Sequence, residues 1–95
     1  MDEKWEYVEE FPIYLVSNEG NVMNSKTGRI LKPGLINGRP AVFLSDRGQG
    51  HTRSISRLVA EAFLSEYIPG NQVIHKNGDL TDNRVSNLQL RKIRY

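Results

Sequence analysis

Short apolar runs, repeatedly broken by Gly and Asn, restrict the fold of this 95-residue chain more than any other feature. Trp5 to Tyr7, Ile13-Tyr14-Leu15-Val16, Val22-Met23, Ile30-Leu31-Lys32 and Ala41-Val42-Phe43-Leu44 are strand-like. Ser17-Asn18-Glu19-Gly20-Asn21 and Lys26-Thr27-Gly28-Arg29 read as turns between them. Asn37-Gly38 is a strong hairpin signal, because both residues tolerate the positive φ of a tight two-residue turn. Asp46 to Thr52 reads as a polar, Gly-rich loop. Runs this short, joined by turns this tight, predict small antiparallel hairpins.

One segment has a different period. Ile55, Leu58, Val59, Ala62 and Phe63 fall at i, i+3, i+4, i+7 and i+8, one apolar stripe on a helix. Ser54 stands where an N-cap is expected, and Pro69-Gly70 closes the loop behind the helix. Gln72 to His75 then reads as a strand and Lys76 to Asp82 as a polar loop. One helical turn is expected over Asp82 to Ser86, with a final strand over Asn87 to Arg91. The predicted class is α+β: small antiparallel β-hairpins, one amphipathic helix, and a strand–loop–strand. Length allows one domain, or two small lobes sharing a core.

Charge is unevenly divided. Residues 1–20 carry Asp2, Glu3, Glu6, Glu9, Glu10 and Glu19 against Lys4 alone, whereas residues 21–95 carry twelve basic groups against five acidic ones. A basic body suits a polyanion such as nucleic acid, and ordinary solubilising charge is the alternative. The absence of cysteine excludes disulfides and thiolate metal sites. No apolar run reaches membrane-spanning length and no signal-peptide pattern opens the chain, so a cytoplasmic protein is expected, in a bacterial or phage-infected cell.

A phosphodiesterase needs an activated water, a way to neutralise the leaving oxygen, and cations on the phosphate. His75 is a candidate base, since imidazole titrates near neutral pH; a structural histidine is the alternative. Asp79 and Asp82 could take a hard cation or be turn residues. Asn83 and Asn87 could brace a loop through backbone bonds. Arg53, Arg57, Arg84, Arg91, Lys92 and Arg94 are candidate phosphate contacts, with a solvated face as the alternative. His51 reads as a surface residue. No Gly-rich phosphate loop, serine-nucleophile motif or zinc spacing is present.

Two linked patterns resemble the small phage-type HNH homing endonucleases. Trp5, then Tyr14-Leu15-Val16-Ser17-Asn18-Glu19-Gly20-Asn21-Val22, then Gly28-Arg29-Ile30-Leu31-Lys32-Pro33, are similar to that family's N-terminal nuclease-associated modular DNA-binding domain. Arg57-Leu58-Val59-Ala60-Glu61-Ala62-Phe63 and Val73 to Leu88 are similar to its helix and HNH (His-Me finger) loop. The resemblance implies a β-rich DNA-binding module over residues 1–50 and an HNH-like motif over 51–95. It makes His75 the general base, Asn87 the brace of its loop, and Asn83 a second support.

Three departures accompany the resemblance. Where the family carries a metal ligand before the base, this chain has Ile74, which offers no donor atom. Ser56 stands where the family's helix usually opens with His. The chain stops at Tyr95, about where a helix with the last metal ligand is expected to begin, which reads as a C-terminal truncation. A bound metal supplies several kcal/mol of charge stabilisation to such reactions. The implied reading is therefore a degenerate nuclease, with metal-dependent cleavage weak or lost. No cofactor and no protein metal site are expected, and Mg or Mn matters only if the chain is catalytic. Double-stranded DNA is the expected partner. Alternatives are a non-catalytic phage-encoded binding protein or inhibitor, acting on DNA or a host DNA-handling protein, and an active metal-dependent nickase.

Overall fold

The computed structural model describes residues 2–91. Three strands open the chain: β1 (Trp5–Tyr7), β2 (Tyr14–Ser17) and β3 (Val22–Asn24), paired antiparallel in the order β1-β2-β3. Tyr14 and Val16 on β2 and Val22 on β3 are buried. The expected strand at Ile30–Lys32 is reduced to one bridge, Met23 with Ile30. Ile30 is exposed, while Leu31 packs half-buried against the core and its N–H donates to the Val22 carbonyl at 2.8 Å.

The second sheet is β4 (Gly34–Ile36), β5 (Arg39–Asp46) and β6 (Gln49–Ser54), again antiparallel. Asn37 and Gly38 both have positive φ, at 53° and 77°, as a primed hairpin turn requires. Arg47 and Gly48 repeat that geometry at 53° and 78°. The polar stretch expected as a loop over 46–52 is therefore the tip and return strand of a hairpin. Along β5, Pro40, Val42 and Leu44 turn inward while Phe43 and Ser45 face solvent.

Helix α1 (Ile55–Phe63) starts on the residue after β6. Ile55, Leu58 and Val59 are buried, and Ala62 and Phe63 pack half-buried against the same core. Burying side chains of this size contributes about 1.5–3 kcal/mol each. Ser54 is the N-cap residue, but its side chain makes no capping bond. The extended β6 backbone delivers the chain into the helix without it.

The last unit is β7 (Gln72–His75) paired antiparallel with β8 (Leu88–Arg91), in the register His75 opposite Leu88 and Ile74 opposite Gln89. The helical turn expected over 82–86 is a 3₁₀ turn at Val85–Asn87. Val8, Phe11, Tyr14, Val16, Val22, Val42, Leu44, Ile55, Leu58, Val59 and Leu88 form one apolar cluster, so all three sheets and the helix share a core. The Tyr14 hydroxyl meets both the carbonyl and the N–H of Ser45 at 3.3 Å, tying the first sheet to the second. Among the described residues, no helix is long and apolar enough to cross a membrane.

Candidate functional site

His75 ends β7 and is 7% exposed. Its Nε2 lies 2.7 Å from Oδ1 of Asn83, which is also buried. The Asn83 amide nitrogen donates to the Leu80 carbonyl at 3.4 Å, so the oxygen end of the side chain faces the imidazole. An amide oxygen only accepts, hence Nε2 carries a proton, and in the neutral ring the lone pair is on Nδ1. This is the tautomer that can take a proton at Nδ1.

The loop after His75 is closed by its own polar groups. Gly78 has φ of 76°, and its N–H donates to the His75 carbonyl at 3.0 Å. Asn77 Oδ1 accepts the Asp79 N–H at 2.8 Å, an Asx turn. Asn87, 7% exposed, holds three points of the loop. Its Nδ2 donates to Asn77 Oδ1 and to the Asp82 carbonyl, both at 2.9 Å, and its Oδ1 accepts the Asn77 N–H at 3.2 Å. The Lys76 N–H also donates to the Asn87 carbonyl, at 2.8 Å.

Both loop carboxylates are engaged inside the loop. Asp79 accepts the backbone N–H and hydroxyl of Thr81 at 2.9 and 2.6 Å, which lowers its pKa, the hydroxyl most. Asp82 accepts Nε and Nη2 of Arg84, both at 2.8 Å, and Nδ2 of Asn77 at 3.0 Å. These bonds, chiefly those from Arg84, pull its pKa down to about 2. Among the described residues, no group of three or more His, Cys, Asp or Glu side chains is placed to hold a metal ion.

His75 opens onto a cleft of about 590 Å³. Ile74 and Gly78 line it with His75; Arg39, Ser54, Ser56, Arg57 and Tyr67 form much of the rest. Two guanidinium groups and no carboxylate stand among its described lining residues. A divalent cation does not fit that donor set: the residue beside His75 is hydrocarbon and the charged groups of the described lining are guanidiniums. The lining suits an anion.

The sequence-predicted cations fall in different places. Arg57 reaches the cleft, and its Nε bonds Glu61 at 2.8 Å, which raises its pKa. Arg53 bonds Glu10 at 2.8 Å, and Arg57 approaches the same carboxylate at 3.5 Å. Glu10 is held below the usual carboxylate range, foremost by the bond from Arg53. Arg84 is taken up by Asp82, and Arg91 bonds Gln72 at 3.3 Å. Lys92 and Arg94 lie outside the described residues. His51 is exposed, with its ring centroid 6.0 Å from that of Phe11. Arg39 and Tyr67 were not singled out from sequence. Arg39 stands at the head of β5, directly after the Asn37-Gly38 turn, and that position was its only local signal.

A model of the HNH endonucleases matches residues 53–95, and a NUMOD4 motif matches residues 3–45. The chain belongs to the HNH endonuclease family. It is 36% identical over 86 residues to an uncharacterized HNH endonuclease of Acanthamoeba polyphaga mimivirus, covering 90% of this chain and 26% of that protein. It is 38% identical over 77 residues to the DNA endonuclease I-HmuI of Bacillus phage SP01, covering 80% of this chain and 44% of that one. A third HNH relative, the H-N-H endonuclease F-TflI of Escherichia phage T5, is 32% identical over 86 residues, 87% of this chain and 44% of that protein. A solved structure, described as DNA binding and cleavage by the HNH homing endonuclease I-HmuI, superposes with a TM-score of 0.86 at 33% identity. It covers 93% of this chain and 52% of that one. The HNH chain described here thus spans about a quarter to a half of these relatives' lengths.

Proposed function

We propose that this chain binds duplex DNA through an HNH scaffold and cleaves it weakly or not at all. One observation carries the reading: Ile74 stands beside His75 in a cleft whose charged lining is Arg39 and Arg57, with no carboxylate among its described residues. His75 can accept a proton from water at Nδ1, and the two guanidiniums can hold a phosphate oxygen. Nothing in that donor set gathers a divalent cation against a leaving oxygen, the part of the chemistry that is worth several kcal/mol. The similarity to DNA endonucleases supports DNA as the partner. In this reading, residues 1–50 are a β-rich DNA-binding module and residues 51–95 an HNH-like motif. Asn83 and Asn87 hold the His75 loop, and Arg53, Arg84, Arg91, Lys92 and Arg94 add to the phosphate contacts of Arg39 and Arg57.

A nicking assay on supercoiled plasmid with Mg²⁺ or Mn²⁺ tests it. The wild type is expected to nick poorly, and Ile74→Asp to gain Mn²⁺ binding or cleavage. Strong wild-type nicking that His75→Ala abolishes would sink the proposal. Duplex affinity should fall steeply with added salt, as phosphate contacts release counterions; an affinity indifferent to salt would exclude those contacts.

A further inference from the structure

The turn between β2 and β3 lies directly against the residues that hold His75. A Cβ placed on Gly20 would stand 3.1 Å from the Asn83 Cβ and 3.2 Å from the Asn83 carbonyl oxygen. Two residues further along, the Val85 N–H donates to the Asn18 carbonyl at 2.8 Å. The N-terminal turn therefore grips Asn83 to Val85 from both ends. The turn is itself firmly built. Ser17, fully buried, accepts the N–H groups of Glu19 and Asn21 on its hydroxyl at 3.2 and 3.1 Å. Asn18 is tied to Lys4 by two bonds, of 2.8 Å to its side-chain oxygen and 3.0 Å from its N–H.

We infer that Gly20 and Asn18 are positioning residues for His75: they seat Asn83, whose amide oxygen selects the Nε2–H tautomer. Gly20 is needed twice over, for its φ of 87° and because any side chain would press on Asn83. The NUMOD4 stretch then completes the His75 site as well as offering a surface to DNA. The value of this for catalysis rests on His75 being a base, but the tautomer is a property of the free protein. It can be read whether or not the chain cleaves anything.

The test is ¹⁵N NMR of the His75 ring above neutral pH, in a His51→Gln background that leaves one imidazole. Gly20→Ala is compared with Gly28→Ala. Gly28 has a similar φ of 72° but nothing within 4 Å of an added Cβ, so it reports backbone strain alone. The parent and Gly28→Ala should both show a single Nε2–H tautomer. Gly20→Ala should lose it, with Nδ1–H appearing in exchange. A Gly20→Ala ring pattern identical to the parent, with stability lowered no more than in Gly28→Ala, overturns the inference. If Gly20→Ala fails to fold, amide exchange in the parent decides. Val85 should exchange in step with the Ser17 amide, which is bonded within the N-terminal turn; Val85 exchanging independently overturns the inference.

Discussion

Asn87→Ala removes the side chain that holds the His75 loop closed at three points, and the cost can be estimated bond by bond. Two donated bonds of 2.9 Å and one accepted bond of 3.2 Å are lost from a buried carboxamide. Each neutral bond contributes about 0.5–1.5 kcal/mol, and a buried partner left unsatisfied costs more. Asn77 is exposed, so water replaces part of what it loses, whereas the Asp82 carbonyl loses a partner at the foot of the loop. The expected loss is about 2–3 kcal/mol, which lowers the Tm of a domain this size by roughly 10–20 °C. Urea denaturation followed by circular dichroism gives the free energy directly. Asn87→Asp keeps the acceptor, loses both donors and faces two oxygens with a negative charge, so at neutral pH it should be at least as damaging. A loss under about 0.5 kcal/mol for Asn87→Ala, the range of an ordinary surface change, would refute the assignment of these bonds as the loop's brace.

Two further outcomes are expected. Asp82 has its pKa lowered to about 2 in the folded loop from an ordinary value of 3.8, so its contribution is fully present above 3.8 and is lost as pH falls through about 2. NMR shifts of the Asn77 and Arg84 amides should hold steady from neutral pH to about 4 and move with a midpoint near 2; a midpoint at the ordinary value would show that the Arg84 bonds do not form. Glu10→Gln frees Arg53 and Arg57 from the carboxylate they share. Exposed ion pairs are worth about 0.2–1 kcal/mol, so duplex affinity at low salt should rise by up to about fivefold, with a steeper salt dependence. Unchanged or weaker binding in a fluorescence anisotropy titration would show that Glu10 does not compete with phosphate.

The elements legible in the sequence are those whose burial leaves a period. Helix α1 was placed by the spacing of Ile55, Leu58, Val59, Ala62 and Phe63, and β7 by a short apolar run ending at His75. Strand β6 was hidden because Gln49 to Thr52 are polar or glycine and all exposed; its order comes from pairing with β5, which no local composition reports. β4 was missed for a related reason: Gly34, Leu35 and Ile36 are all exposed, so no inward–outward alternation marks them. At the site, His75, Asn83 and Asn87 lie close enough in the chain for one motif to gather them. Arg39, Tyr67 and Gly20 reach it only through the tertiary fold, and a single sequence holds no record of that approach.

The direct passage from β6 into α1 bears on how a ligand would be received. Ser54 ends the strand and Ile55 begins the helix, and Ser54, Ser56 and Arg57 all line the cleft. Ser54 is also paired with Ala41 on β5, two residues from Arg39. One wall of the cleft, from Arg39 through Ser54 to Arg57, is thus built on paired strands that run directly into the helix, while β7 and the loop after His75 form the facing side. On the proposed function, a phosphate entering there would meet backbone already ordered by strand pairing and an Arg57 already held by Glu61, which lowers the ordering entropy lost on binding. Association would then be governed by long-range attraction between charges, and its rate should fall steeply with added salt.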